Sequence, residues 1–488
     1  MKGWMFMKKI IKRSISLLII LSLILSVLPV EFLGERSNVL AATSEGEKFT
    51  VNGLNYVILS DNTSVGVTGA TDSSITELVI PETVNYDNYD FHVTEIRYQA
   101  FQYYTRLTKI SMGNNVEVIN DYGFSGCKNL TDVKLSNSLY DAGYKAFQNC
   151  IRLENITLPV SLTGNASEMF SGCKSLKTVE FAEGATKIPN GLFKNGSITS
   201  FVCPDSIVEI GKYAFENCSN LKEVKFSDKL EIIGERAFYN CDKIQKIELP
   251  KSLKEMRNGY NGGVFSNCSG LKKINIPKSL KEGNLAFEGC SLLNEIEWED
   301  GITKIPDGLF KNCAGLENVK IPDTVTEIGR YAFENCDNLE DVVLSEKMGI
   351  LDEGAFYDCD KIQEIELPNS LKEMKNGYAN GVFSDCSSLK KISIPKSLKE
   401  GNLAFKGCSL LNEIEWENGI TKIPDGLFKN CVGLENIKIP DTVTEIGRYA
   451  FENCSDLVNI SFPNSLQVIG EGAFKDCKKI KDINLPNG

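Results

Sequence analysis

The sequence predicts a right-handed, β-rich solenoid of about 23 residues per coil, with short parallel strands and short helical or 3₁₀ turns. One observation is a phenylalanine, most often within Ala-Phe-x-x-Cys, that recurs 17 times and usually after 23 residues. The other is that two short extended segments precede the motif, the first typically ending at proline and the second at glycine. The marker residues are Phe101, Phe124, Phe147, Phe170, Phe193, Phe215, Phe238, Phe265, Phe287, Phe310, Phe333, Phe356, Phe383, Phe405, Phe428, Phe451 and Phe474.

One unit shows how a coil is built. Leu316, Val319 and Ile321 alternate with polar residues, which predicts a short strand with one buried face that ends at the following proline. The next segment, through Gly329, predicts a second strand on the opposite wall, and residues 332–336 predict a single helical or 3₁₀ turn. Among the 15 units with the cysteine, the residue before it is Asn eight times, Gly four times and Asp three times. Those residue types favour a turn at this point.

The full string, Leu-x-x-Ile-x-Ile-Pro-x-x-Val-x-x-Ile-Gly-x-x-Ala-Phe-x-x-Cys, resembles the BspA-type leucine-rich repeat, also called the treponemal class, over about residues 75–488. The resemblance implies a leucine-rich repeat solenoid. It also implies a secreted or surface-displayed bacterial protein, in some cases a protist one, that binds host proteins, other bacteria or extracellular matrix. It implies no shared catalytic residues.

Residues 1–41 are interpreted as a secretory signal peptide. Residues 1–13 are basic, an apolar run follows from Ile15 to Val30, and small residues stand at the two positions that a signal peptidase reads before residue 42. The alternative is an uncleaved anchor, because the run approaches the length of a membrane span. We expect a secreted or cell-surface protein that is not inserted in the membrane after cleavage.

Residues 43–97 are predicted to cap the open end of the array, which occupies residues 98–488 in about 17 units. Phe49 to Ile58 predicts a hairpin with its turn at Asn52-Gly53, and the first repeat-like strand runs from Ile75 to Pro81. The sequence stops just after a repeat strand, so either the last coil is exposed or the sequence is a fragment.

A larger repeat lies over the small one, because residues 219–336 and 337–454 form two copies of a 118-residue block. Each block contains one 27-residue unit with an inserted loop, carrying Tyr260 in the first and Tyr378 in the second. Insertions in solenoids map to loops on one face, often a binding face. The two tyrosines are therefore candidate binding residues, and a neutral bulge is the alternative.

The 16 cysteines predict packing rather than chemistry. Fifteen occupy one repeat position, so they stack in a column whose coil spacing of about 4.8 Å would permit disulfides between neighbours. Tyr104 and Gly196 replace the cysteine in two units without disturbing the pattern, which favours free buried thiols, and Cys203 is expected in the core as well. The sequence contains no Cys-x-x-Cys pair, so the cysteines do not suggest a metal site.

Catalysis is disfavoured, and no cofactor is expected. His92 is the only histidine and has no partner motif near it. Carboxylates are numerous enough for a glycosidase-like pair, but local constellations recur, as in residues 295–299 and 413–417, whereas an active site is single. Trp298 and Trp416 stand where other units place Leu or Ile, so core filling is the expected role and ligand stacking the alternative.

The formal net charge of −12 disfavours nucleic acid as a partner. Outward strand residues form a continuous sheet surface of mixed charge, about 80 Å long, that suits an extracellular protein or glycan. We predict a monomer that binds or adheres through this face. The alternative is a structural spacer that displays another module and binds nothing itself. The candidate face residues are Lys272, Lys273, Asn275, Glu295, Glu297, Glu317, Asn318 and Lys320.

Overall fold

The computed structural model describes residues 44–259, 262–377 and 380–486. Within these ranges the chain forms a β-solenoid of about 16 turns, with about 23 residues per turn and parallel strands between successive coils. This confirms the predicted solenoid. The signal-peptide prediction for residues 1–41 lies outside the described residues.

The N-terminal strands form a sheet that continues into the solenoid. Its strands are β1 (Lys48–Val51), β2 (Leu54–Ile58), β3 (Ser64–Ala70), β5 (Thr83–Tyr86) and β6 (Tyr89–Ile96). Strands β1 and β2 pair antiparallel with Val51 opposite Leu54. Asn52 and Gly53 are left as a two-residue turn with φ of 50° and 79°, the left-handed values that a type I′ hairpin requires. Strand β6 pairs parallel with β3 on one side and with the first short strand of the array on the other.

Two walls of parallel strands form the sides of each coil. The front wall contains β4 (Glu77–Ile80), β7 (Lys109–Met112), β9 (Asp132–Lys134), β11 (Asn155–Leu158), β12 (Thr178–Phe181), β14 (Ser200–Val202), β16 (Glu223–Lys225), β18 (Lys246–Ile247), β20 (Lys273–Ile276), β21 (Glu295–Trp298), β23 (Asn318–Lys320), β25 (Asp341–Val343), β27 (Glu364–Glu366), β29 (Lys391–Ile394), β30 (Glu413–Trp416), β32 (Asn436–Lys438) and β34 (Asn459–Ser461).

The back wall contains β8 (Val118–Ile119), β10 (Asp141–Ala142), β13 (Lys187–Ile188), β15 (Glu209–Ile210), β17 (Ile232–Ile233), β19 (Glu255–Met256), β22 (Lys304–Ile305), β24 (Glu327–Ile328), β26 (Ile350–Leu351), β28 (Glu373–Met374), β31 (Lys422–Ile423), β33 (Glu445–Ile446) and β35 (Val468–Ile469). Equivalent positions of successive coils pair, as Ile274 does with Ile296. Apolar residues therefore line up with apolar residues, and the register keeps one face of each wall buried.

The segment around Ala-Phe-x-x-Cys corrects one prediction, because no helix occurs among the described residues and the segment is a series of tight turns. Along this segment, one backbone N–H donates to a carbonyl of its own coil and the following one donates to a carbonyl of the next coil. Ala146 N donates to Gly143 O within the coil (3.2 Å), whereas Phe147 N donates to Met169 O of the next coil (3.0 Å). Lys145 and Asn149 have φ of 58° and 57°. A helix directs every N–H along its own axis, so it would leave the next coil unbonded.

Phenylalanine rings stack through the centre of the solenoid. Phe333 is fully buried, with its ring centroid 5.5 Å from that of Phe310 and 5.1 Å from that of Phe356. Trp298 contacts Phe310 edge-on at 5.9 Å, and Trp416 meets Phe428 in the same way at 5.9 Å. Both tryptophans are half-buried and pack against the core, which agrees with the predicted core role.

All 16 cysteines are free thiols, and all are buried except Cys477, which is half-buried. The column thiols bond to the preceding coil, as when Cys336 Sγ donates to Phe310 O at 3.3 Å. Burial raises the pKa of Cys127 and of Cys268 to about 12. The column therefore joins coils by a weak hydrogen bond and stays protonated at neutral pH.

We expect one thiol per native chain to react with a thiol-specific reagent at neutral pH. Cys477 is half-buried, whereas the column thiols are buried and desolvation keeps them protonated. Labelling followed by peptide mass spectrometry measures this, with Cys477→Ala as the control that abolishes native labelling. Rapid modification of several column cysteines in the folded protein would contradict the buried column.

Candidate binding face

The predicted face residues all lie on the front wall, on or next to three successive strands. Lys273 lies on β20, and its ammonium contacts Glu295 Oε1 at 2.5 Å and Glu297 Oε1 at 2.6 Å on β21. These carboxylates raise the pKa of Lys273 through hydrogen bonds to its charged form. The structure therefore brings three predicted residues together as one ion-pair cluster.

The last three residues of the prediction belong to a separate sheet. Glu317, Asn318 and Lys320 lie at β23, which pairs with β25 and not with β21. All three side chains are exposed, as is Lys272 just before β20. Glu317, Asn318 and Lys320 therefore continue the front wall in the next coil, but they are not part of the ion-pair cluster around Lys273.

Asn275 has a role that the strand pattern did not indicate. Its side-chain Oδ1 accepts from Leu249 N at 2.6 Å, and its Nδ2 donates to Leu249 O at 2.9 Å. The side-chain amide thus extends the ladder between β18 and β20 past the point where backbone pairing ends. Asn275 is half-buried and holds two coils together.

The predicted tyrosines of the inserted loops, Tyr260 and Tyr378, lie outside the described residues. On either side of the first tyrosine, Gly259 N donates to Gly262 O at 3.3 Å. The second loop repeats this bond between Gly377 N and Asn380 O at 3.3 Å.

An open groove of about 1350 Å³ lies on the front wall across β16, β18, β20 and β21. Three predicted residues line it, namely Lys272, Asn275 and Glu297. The prediction missed its first half, although the same alternation of strand residues could have identified it. Its full lining is Lys222, Glu223, Val224, Lys225, Phe226, Asp228, Asp242, Lys243, Gln245, Lys246, Glu248, Leu249, Pro250, Lys251, Gly270, Lys272, Asn275, Leu292 and Glu297.

The groove presents free positive charge in an acidic protein. Lys246 is paired with Glu248 at 2.5 Å, and this bond lowers the pKa of the carboxyl. Within the described part of the chain, the ammonium groups of Lys222, Lys225 and Lys272 have no hydrogen-bond or ion-pair partner. These three charges are therefore available to a ligand.

Other chemistry finds little support in the part of the chain that the structure describes. No group of three or more His, Cys, Asp or Glu side chains is placed to hold a metal ion there. His92 is exposed on β6, with Nδ1 3.2 Å from Asn115 Nδ2. Between residues 44 and 486, the described segments contain no helix able to cross a membrane. We therefore take the groove as the candidate binding site.

Comparison with known families matches the BspA type leucine rich repeat region over residues 94–203, 186–294, 283–402 and 378–488. A solved leucine-rich repeat protein from Bacteroides ovatus is 25% identical, with a TM-score of 0.43 over 89% of this chain and 93% of that one. A leucine rich cell surface protein from Faecalibacterium prausnitzii is 21% identical, with a TM-score of 0.34 over 90% and 95% of the two chains. The pneumococcal vaccine antigen PcpA is 20% identical, with a TM-score of 0.34 over 88% and 100%. No curated protein matches the sequence.

Proposed function

Because the chain belongs to the BspA-type leucine-rich repeat family, we propose that it is a secreted or cell-surface protein that binds or adheres to an extracellular protein through its front wall. The observation that carries this proposal is the long open wall of exposed charged side chains, with free ammonium groups in its groove. Export would rest on residues 1–41, and the chain would act as a monomer.

The shape of the groove supports a macromolecular ligand. Small-molecule sites enclose most of their ligand in a concave, mostly apolar pocket. The groove is instead open and lined by charges of both signs, which is the composition of a protein interface rim. Its lining spans several coils, so an extended ligand segment can contact all of them.

The carboxylate pairs support a role without catalysis. Glu295 and Glu297 share Lys273, and the second copy repeats this with Glu413 and Glu415 on Lys391. Each of these carboxylates is already paired with a lysine ammonium on the neighbouring strand. We infer that these pairs are surface ion pairs and that the chain is not an enzyme.

Affinity capture tests the proposal. Purified full-length chain, immobilised after signal removal, is expected to enrich a small set of proteins from a host-cell surface and matrix extract, identified by mass spectrometry. Substituting Glu317→Gln and Lys320→Gln on the front wall should weaken capture. The matched back-wall changes Lys304→Gln and Glu327→Gln, which also remove one charge of each sign, should not. Recovery of nothing above blank resin would refute the binding function.

The duplication favours a second candidate, a spacer that displays another module. Two copies of one 118-residue block lengthen the array without adding a new type of coil. A spacer predicts that the purified array captures nothing. It also predicts that deleting residues 337–454 changes only how far an attached module reaches from the cell, which antibody accessibility measures.

A further inference from the structure

The two copies of the 118-residue block allow the groove to be compared with its own duplicate. Of the 118 aligned positions 24 differ, so 94 are identical. Nine of the 24 differences fall among the 19 positions that line the groove, which leaves 15 among the other 99. Substitution is therefore concentrated where the first block has its groove.

Taken together, the differences at the groove positions make the second block more acidic than the first. The groove contains six lysines and five carboxylates, whereas the equivalent positions of the second block contain two lysines and seven carboxylates. The net charge falls from +1 to −5, and the 15 differences elsewhere change it by only −1. Four lysines are lost and none is gained: Lys222 corresponds to Glu340, Lys225 to Val343, Lys246 to Glu364 and Lys251 to Asn369.

The strand pairing around the groove is nearly the same in both copies, although β27 (Glu364–Glu366) is one residue longer than β18 (Lys246–Ile247). Strand β20 (Lys273–Ile276) corresponds to β29 (Lys391–Ile394), with the same paired positions in the next coil. The ion-pair cluster is also present twice, on Lys273 and on Lys391. The second block is thus a natural control for the first.

We propose that the lysine groove, defined by Lys222, Lys225, Lys243, Lys246, Lys251 and Lys272, binds an acidic, extended segment of the partner protein. This assignment rests on the proposed binding function and names its site and ligand chemistry. The second block does not bind such a segment, because its equivalent face carries seven carboxylates.

The spacing and the apolar lining favour a peptide. Lys222 and Lys272 occupy the same coil position two coils apart, or about 10 Å at a coil spacing of about 4.8 Å. An extended peptide places carboxylates on one side about 7 Å apart, so several can reach the lysines at once. Leu292 is 52% exposed beside them, and Pro250 also lines the groove. Such apolar surface suits aliphatic side chains, which an acidic glycan lacks.

The test exchanges residues between the blocks. The first-block variant carries Lys222→Glu, Lys225→Val, Lys246→Glu and Lys251→Asn, and the second-block variant carries Glu340→Lys, Val343→Lys, Glu364→Lys and Asn369→Lys. Each introduced residue already stands at the equivalent position of the other copy, so both variants are expected to keep the wild-type thermal unfolding curve. The probe is a fluorescent 12-residue peptide that repeats Glu-Val-Glu-Ser, and a Lys-Val-Lys-Ser peptide is the control.

Full-length wild-type chain is expected to bind one acidic peptide, with an affinity that falls as salt rises. The first-block variant should bind about tenfold more weakly or worse, since it loses four positive charges, among them the free ammonium groups of Lys222 and Lys225, and gains two carboxylates. The second-block variant should bind two peptides. Equal binding by wild type and the first-block variant, or no second site in the second-block variant, would overturn the assignment. So would heparin binding at the lysines in a chain that ignores the acidic peptide.

Capture from surface extract separates this inference from the proposed function. Loss of the captured proteins by the first-block variant supports the groove. If that variant captures the same proteins as wild type, the groove assignment is wrong and the binding function stands. A wild-type chain that captures nothing overturns the binding function itself.

Discussion

Replacing Phe333 with alanine is expected to lower the free energy of unfolding of its part of the solenoid by about 3–5 kcal/mol. The ring is fully buried and lies between Phe310 and Phe356, nearly parallel to the latter at 3°. Its loss removes apolar burial and leaves a cavity that neighbouring coils cannot fill, because backbone hydrogen bonds fix their spacing.

Hydrogen exchange measures this effect better than a single unfolding curve. Each coil contacts only its neighbours, so a long array need not unfold in one step. Amides of residues 310–356 should exchange faster in Phe333→Ala, while those of the first coils remain protected. The control is Val343→Ala on β25, whose side chain is 53% exposed and whose loss should change stability by less than about 0.5 kcal/mol. Equal effects of the two changes would contradict the stacked core.

Replacing Gly263 with alanine is expected to cost about 1–3 kcal/mol, the second large effect. A Cβ at this position would lie 2.2 Å from the carbonyl oxygen of Leu285 in the next coil. The obstacle is backbone, so no side chain can rotate away, and the two coils must separate. Gly381 is the same position in the second block, with 2.1 Å to Leu403 O.

A glycine with space around it provides the matched control. A Cβ on Gly349 would lie 3.6 Å from Thr326 O, and the equivalent position of the first block already carries Glu231. Gly349→Ala should therefore be neutral or stabilise the fold by about 0.4–1 kcal/mol, because it restricts the unfolded chain. Hydrogen exchange of the amides around each position in both variants measures the difference. A Gly263→Ala protein as stable as Gly349→Ala would mean that the coils are not in close contact at this position.

The repeat made much of the fold predictable. Aligning the 17 versions of the unit shows which positions are regularly apolar, even where a single unit is ambiguous. The strands, the buried cysteines and the core role of Trp298 could therefore be inferred from the sequence. The conformation of the turn segment could not be inferred in this way. Its residues suit a helix locally, but half of its N–H groups bond to a coil about 22 residues away, as Phe147 does to Met169. Contacts of that range leave no local signal.

The strand pattern predicted which side of the solenoid carries the candidate binding residues, but not how their side chains interact. Alternation places Lys273 and Glu295 outside, but only geometry shows that they pair and are less available to a ligand. The same holds for Asn275, whose polar side chain bonds to Leu249 of the preceding coil. Which lysines are free depends on side-chain positions, and the strand pattern does not contain this information.

The alternating bonds of the turn segments have a mechanical consequence. Backbone bonds such as those from Lys145 to Ser167 and from Phe147 to Met169 join neighbouring coils, so a pull between the two ends passes through every junction in series. The weakest junction yields first, and the coils beyond it keep their shape. Each coil released adds about 23 residues of slack, at most roughly 80 Å. Under tension the protein would lengthen in steps, as an extensible tether does.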